Sequence, residues 1–223
     1  MPNVTGPGVI VDGAGNLIAA NAEITSGAAA GLVLTSDAIG DIQWGLNPLA
    51  QPTEPASVVG VTVPRTLVSS STAALTSGTV YCCGIALNKG VTVTNVSLFV
   101  AGTAESGGSH AWVGLANSAR SVLAVSADQT GATYFSGTQA AVTTALAAPF
   151  TTTYGGLHYV FVCVVGTTPL FASAPALENA ALGAVAPVLC GTSSTSQTTP
   201  PATGTVLTAI TATAGHLFYA WLT

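Results

Sequence analysis

Three histidines, His110, His158 and His216, stand in apolar, strand-like stretches. With Asp128, Glu105 and several serines they supply the residue types of a nucleophile, base and carboxylate relay. Such a relay needs a pattern that brings its members together, and no GxSxG elbow, Walker A loop, HExxH pair or glycine-rich nucleotide fingerprint marks one. A hydrogen-bonded strand histidine in each case is the preferred reading. Glu105 and Asp128 as paired acids for glycoside cleavage have nothing to fix their separation. The eight acidic residues are scattered, where a calcium site wants them clustered. Cys82, Cys83, Cys163 and Cys190 follow neither a CxxC nor a Cys/His spacing that holds zinc. Cys82 and Cys83 point to opposite faces of a strand, so at most one can reach a given partner across a core. Buried reduced thiols acting as small hydrophobes are the favoured reading. The expectation is a non-enzyme with no cofactor and no metal.

The elements that position these residues are strands. Residues 78–115 alternate apolar with small hydroxylated side chains and are broken by glycines. Val80, Cys82 and Ala86 share one face, and Tyr81, Cys83, Ile85 and Leu87 the other, so both faces are apolar enough to be covered. After the turn Asn88-Lys89-Gly90, Val91 and Val93 are followed one residue out of phase by Val96, Leu98 and Val100, which predicts a β-bulge at Thr94-Asn95. Together with 110–115 this gives three strands, read as members of one sheet. Further strands are expected at 121–126, 133–135, 141–146, 157–165, 205–211 and 216–222. The stretch 157–165 is the most apolar and is placed centrally. Residues 172–187 allow a helical turn or two at most, because Pro175, Gly183 and Pro187 interrupt them.

Composition narrows the class. Of 223 residues only 5% are charged, against about 25% in a usual soluble domain. Thr, Ser, Ala and Gly must therefore form the surface, as on a hydroxyl-rich β domain or on subunit faces buried in an oligomer. Three basic residues and a net charge of −5 give no electrostatic footprint for nucleic acid, and that partner is discarded. No run approaches the roughly 18 apolar residues of a spanning helix, and the Met1-Pro2-Asn3 start shows no export signal, so membrane insertion is not expected.

The first 45 residues differ from the rest. Val9-Ile10-Val11 leads through Asp12-Gly13-Ala14-Gly15 to Leu17-Ile18, and Leu32-Val33-Leu34 leads through Asp37 and Gly40 to Ile42-Gln43-Trp44. Each is a hairpin signature, with Asp capping its own turn and Gly free to take positive φ. Two such hairpins bury too little to stand alone in water, so Val9, Ile10, Leu32, Leu34, Asp37, Gly40 and Trp44 are the candidate anchor. Pro48, Pro52, Pro55 and Pro64 make a linker. The expected fold is all-β: an N-terminal β-hairpin arm (residues 1–45), a proline-rich linker (46–64) and an antiparallel, jelly-roll-like β-sandwich (65–223).

The stretch 31–44, with Leu34-Thr35-Ser36-Asp37, Gly40 and Trp44, resembles a hairpin of bacteriophage tail-fibre and minor tail proteins that joins a trimeric shaft to a distal domain. Residues 90–96, 110–115 and 123–129 resemble the β-sandwich of minor tail proteins from phages of actinobacteria. No extended shaft repeat separates the two here. The resemblance implies a virion structural protein, a short homotrimeric appendage on the virion surface, assembled in the host cytoplasm with other virion proteins. Capsid-surface decoration, as a head fibre, is the alternative position. A host-glycan-binding module is the other alternative, with Trp112 or Tyr134 stacking on sugar rings, although a core role for both aromatics is preferred.

Overall fold

The computed structural model describes residues 54–55, 57–72, 74–131, 134–175, 185–213 and 216–223, and, further towards the N-terminus, the backbone of four short strands. The chain divides into two compact units, Met1–Pro52 and Thr53–Thr223. In the first, β1 (Val9–Val11) pairs antiparallel with β2 (Leu17–Ala19), and β3 (Leu32–Ser36) with β4 (Ile42–Leu46). Leu34 lies opposite Trp44 in register. These are the two expected hairpins. Asp37 and Gly40 lie outside the described residues.

The second unit runs β5 (Gly60–Val61), a 3-10 turn (Arg65–Leu67), β6 (Ser70–Ser71), β7 (Tyr81–Leu87), β8 (Thr92–Val100), β9 (Ser106–Asn117), β10 (Val122–Val125), β11 (Ala140–Thr151), β12 (Gly156–Thr167), β13 (Ala172–Ser173), β14 (Cys190–Thr192), β15 (Thr211–Ala212) and β16 (Ala220–Leu222). A six-stranded sheet, β10-β9-β12-β7-β14-β15, and a four-stranded sheet, β11-β8-β16-β5, are both antiparallel. The fold is an all-β sandwich. It begins earlier than expected: the apolar run between Pro55 and Pro64, assigned above to the linker, pairs Val61 with Trp221 and buries Val63.

The core between the sheets takes alternate residues from each. Tyr81, Cys83, Ile85 and Leu87 of β7, with Val160, Val162 and Val164 of β12, meet Val93, Val96, Leu98 and Val100 of β8, together with Ala220 and Leu222 of β16. Phe135, Phe171 and Phe218 are fully buried in the same cluster, Phe135 edge-on to Phe171 at 5.1 Å between centroids. Burying each such ring is worth about 1.5–3 kcal/mol. The other faces of β7, β9 and β12 form a second cluster, Val80, Cys82, Trp112, Phe161 and Cys163, with Leu207 and Ile210. Both faces of β12 are therefore covered, as its unbroken apolar reading requires, and it sits inside the larger sheet.

The expected bulge is present. The Thr94 and Asn95 N–H groups both donate to the Thr223 carbonyl, at 2.6 and 2.9 Å, while β11 passes from Ala145 to Phe150 as β8 passes from Asn95 to Val93. The single-sheet reading of 78–115 is corrected. β7 and β9 flank β12 in the larger sheet, and β8 belongs to the smaller one, because the connection at 88–90 carries the chain across the sandwich. Positions 134 and 135 are in a turn, not a strand, and within 205–211 pairing is limited to the bridge Ser121↔Val206 and the start of β15. The helical turn expected at 172–187 falls largely on 176–184, outside the described residues; Ala172–Ser173 is strand β13.

Candidate functional site

The histidines do not converge. His110 pairs in register with Val165 and His158 with Asn117, which puts them at opposite ends of β12, about 23 Å apart at about 3.3 Å per residue. Among the described residues, His110 makes the one acid contact of the three: its Nδ1 lies 2.7 Å from Asp128 Oδ2 on a partly exposed surface. Ser109 turns away, its Oγ donating to the Val165 carbonyl at 3.5 Å. Cys163 is a buried thiol with its pKa pushed up to about 12, by burial first and then by the Asp128 carboxylate, the reverse of what a nucleophile needs. His158 is buried, donates from Nδ1 to the Gly156 carbonyl at 3.0 Å and stacks on Tyr154. His216 packs on Tyr81 at 4.7 Å, and burial lowers its pKa.

Glu105 is 3% exposed and belongs to the frame. Its Oε2 accepts the Phe135 N–H at 2.8 Å, while its own N–H donates to the Phe135 carbonyl at 2.9 Å. Burial raises its pKa, against the backbone N–H groups of Phe135 and Tyr134, which lower it. It pins the turn at 134–135, and a paired-acid role with Asp128 is not what its contacts describe. Among the described residues, no group of three or more His, Cys, Asp or Glu residues is placed to hold a metal ion. No helix there is long and apolar enough to cross a membrane.

The core role preferred for Trp112 holds, and the sugar-stacking alternative for it is corrected. Trp112 is 1% exposed, covered by the 193–210 segment through Leu207 and Ile210, so its ring has no face for a sugar. Tyr134 is half-buried, edge-on to Phe135, with its hydroxyl 2.8 Å from Thr144 Oγ1. A different set of rings is brought together on the outer face of the smaller sheet. There a groove of about 570 Å³ has Tyr219, Phe99 and Ala172 in its wall and Arg65, Ser69 and Gln139 among its polar lining residues. Tyr219 stacks on Trp221 at 5.4 Å and donates to Glu54 Oε2 at 3.1 Å. Burial, then the Glu54 charge, pushes its pKa up to about 12. Arg65 Nε lies 3.8 Å from Glu54 Oε1. Gln139, at φ +55°, donates to the Ala101 carbonyl.

The sequence signal for this groove is the alternation Leu217, Tyr219, Trp221 on one face of the last strand. Arg65, Phe99 and Gln139 join it only through sheet pairing, which no local pattern encodes. No protein-family model, curated protein or solved structure matches the chain.

Proposed function

We propose that the protein is a virion structural component, a short trimeric phage appendage anchored by its N-terminal hairpins and projecting the sandwich. The observation that carries this reading is the pairing of β3 with β4 across the stretch that resembles a tail-fibre hairpin, in a compact unit preceding an almost uncharged β-sandwich. A domain with so few charges is suited to contacts made of apolar burial and hydroxyl hydrogen bonds. Its long outer strand β11 presents exposed Thr and Ala rather than Lys or Glu. Pro149 and the irregularity between Ala145 and Phe150 blunt that edge against uncontrolled pairing. Partners in this reading are two further copies and other virion proteins, with tail and capsid positions both open to the same anchor. The test is incorporation: a chain beginning at Thr53 keeps the sandwich core, so it folds but is missing from particles. Its normal incorporation overturns the anchor.

The groove favours a second reading, a surface that contacts host glycan. Tyr219 and Phe99 in the groove wall, beside the polar side chains of Arg65, Ser69 and Gln139, supply the apolar surface and directional hydrogen bonds that sugar rings need. Saturation-transfer NMR with a panel of neutral oligosaccharides tests it. Transfer abolished by Phe99→Ala supports the groove, and absence of transfer from every sugar removes it.

A further inference from the structure

We propose that Cys83 and Cys190 are a covalent modification site, a cross-strand disulfide that ties β14 to β7. They are direct partners in the antiparallel register. The Gly84 N–H donates to the Leu189 carbonyl at 2.5 Å and the Ser193 N–H to the Val80 carbonyl at 2.8 Å. That pattern makes Cys83↔Cys190 a pair not hydrogen-bonded to each other, in which Cα atoms stand about 4.5 Å apart and side chains lie closest. Bridged cysteines have Cα separations of about 4.4–6.8 Å, so the pair falls at the short end of the permitted range. Both side chains sit in the same inter-sheet cluster, with Cys83 0% and Cys190 7% exposed.

The other two cysteines serve as internal controls. Cys82 and Cys163 both belong to the cluster on the opposite face of the sheet. Cys82 lies opposite Phe161 and Cys163 opposite Trp112. Cys82 and Cys163 are thus diagonal neighbours, at about 7–8 Å, beyond the reach of an unstrained bridge. Neither faces Cys83 or Cys190.

The oxidant is a small-molecule disulfide such as oxidised glutathione. The Cys190 thiolate attacks one glutathione sulfur and expels a glutathione thiolate, leaving a mixed disulfide. Cys83 then gives up its proton and attacks Cys190 Sγ, expelling the second glutathione. Two protein thiols are oxidised and one glutathione disulfide is reduced, and the two protons released by the cysteines are taken up, through solvent, by the two expelled glutathione thiolates. Burial raises the pKa of Cys190 and carries that of Cys83 well above its usual value, so the exchange is slow in the folded protein at neutral pH and quickens as pH rises.

The inference rests on strand register alone and is independent of the virion reading. To test it, the full chain is refolded in a mixture of oxidised and reduced glutathione, which removes limits on access through the folded core. Remaining thiols are alkylated and located by peptide mass spectrometry. The expected result is a fall from four thiols to two, with Cys82 and Cys163 alkylated and Cys83 joined to Cys190. Four alkylated cysteines, a lasting glutathione adduct, or any other pairing overturns the proposal. In the Cys190→Ala variant the same treatment should leave three thiols and an unfolding temperature indifferent to oxidant, whereas that of the parent rises. A parent temperature equally indifferent to oxidant counts against the bridge.

Discussion

Replacing Glu105 separates a structural carboxylate from a reactive one. In Glu105→Ala the Phe135 N–H, on a residue with no exposure, loses its acceptor at 2.8 Å, and a buried donor left unpaired costs about 1–3 kcal/mol. Glu105→Gln keeps an oxygen for that bond and removes a charge that burial disfavours. The folded pKa lies above the unfolded value, so between the two the folded state holds more protons. Stability from this group therefore falls as pH rises through that window and is lowest above it. Glu105→Gln is expected to be within about 1 kcal/mol of the parent at pH 7, or more stable, and to lack that decline. For a domain of this size about 1 kcal/mol moves the unfolding temperature by about 2–4 °C, so the alanine variant should melt roughly 2–12 °C lower. Thermal unfolding by near-ultraviolet circular dichroism at pH 5 and pH 7 reads all three proteins. A glutamine variant as unstable as the alanine variant, or an alanine variant as stable as the parent, refutes the reasoning.

Other expectations follow from the same contacts. Gly114→Ala would place a Cβ 2.3 Å from Phe161 Cζ and 2.6 Å from the Ala124 carbonyl, and such overpacking should cost about 1–3 kcal/mol in urea unfolding. Because the folded pKa of His216 is lowered, the unfolded chain binds its proton first, and stability should be lost as pH falls from about 6.5 towards the folded value; His216→Gln should flatten that slope. With three basic residues per chain, few ion pairs can join subunits, so the proposed trimer should sediment alike in about 0.1 M and about 1 M NaCl. Dissociation as salt rises would remove the apolar-contact argument.

Much of the sandwich was legible because alternation reports which faces of a strand are covered. The two apolar faces of 80–87 and the central place of β12 followed from it, and the phase slip at Thr94-Asn95 located the bulge. Alternation does not say to which sheet a strand belongs, and β8 was therefore misplaced beside β7. The cover over Trp112 was hidden because reading 205–211 as a strand does not say that Leu207 and Ile210 pack on the outer face of the larger sheet. The groove and the Cys83–Cys190 pairing were illegible for a further reason. Each depends on the register between strands distant in sequence, which places Gln139 and Tyr219 in the lining of one groove and sets β14 beside β7.

The measurement nearest the central claim is a density map of intact particles produced with and without this chain. The account predicts a threefold projection whose base is formed by the two N-terminal hairpins of three copies and which is lost when the chain is absent. Particles whose maps are identical with and without the chain, or a projection seated on the particle through the sandwich instead of residues 9–46, would contradict it.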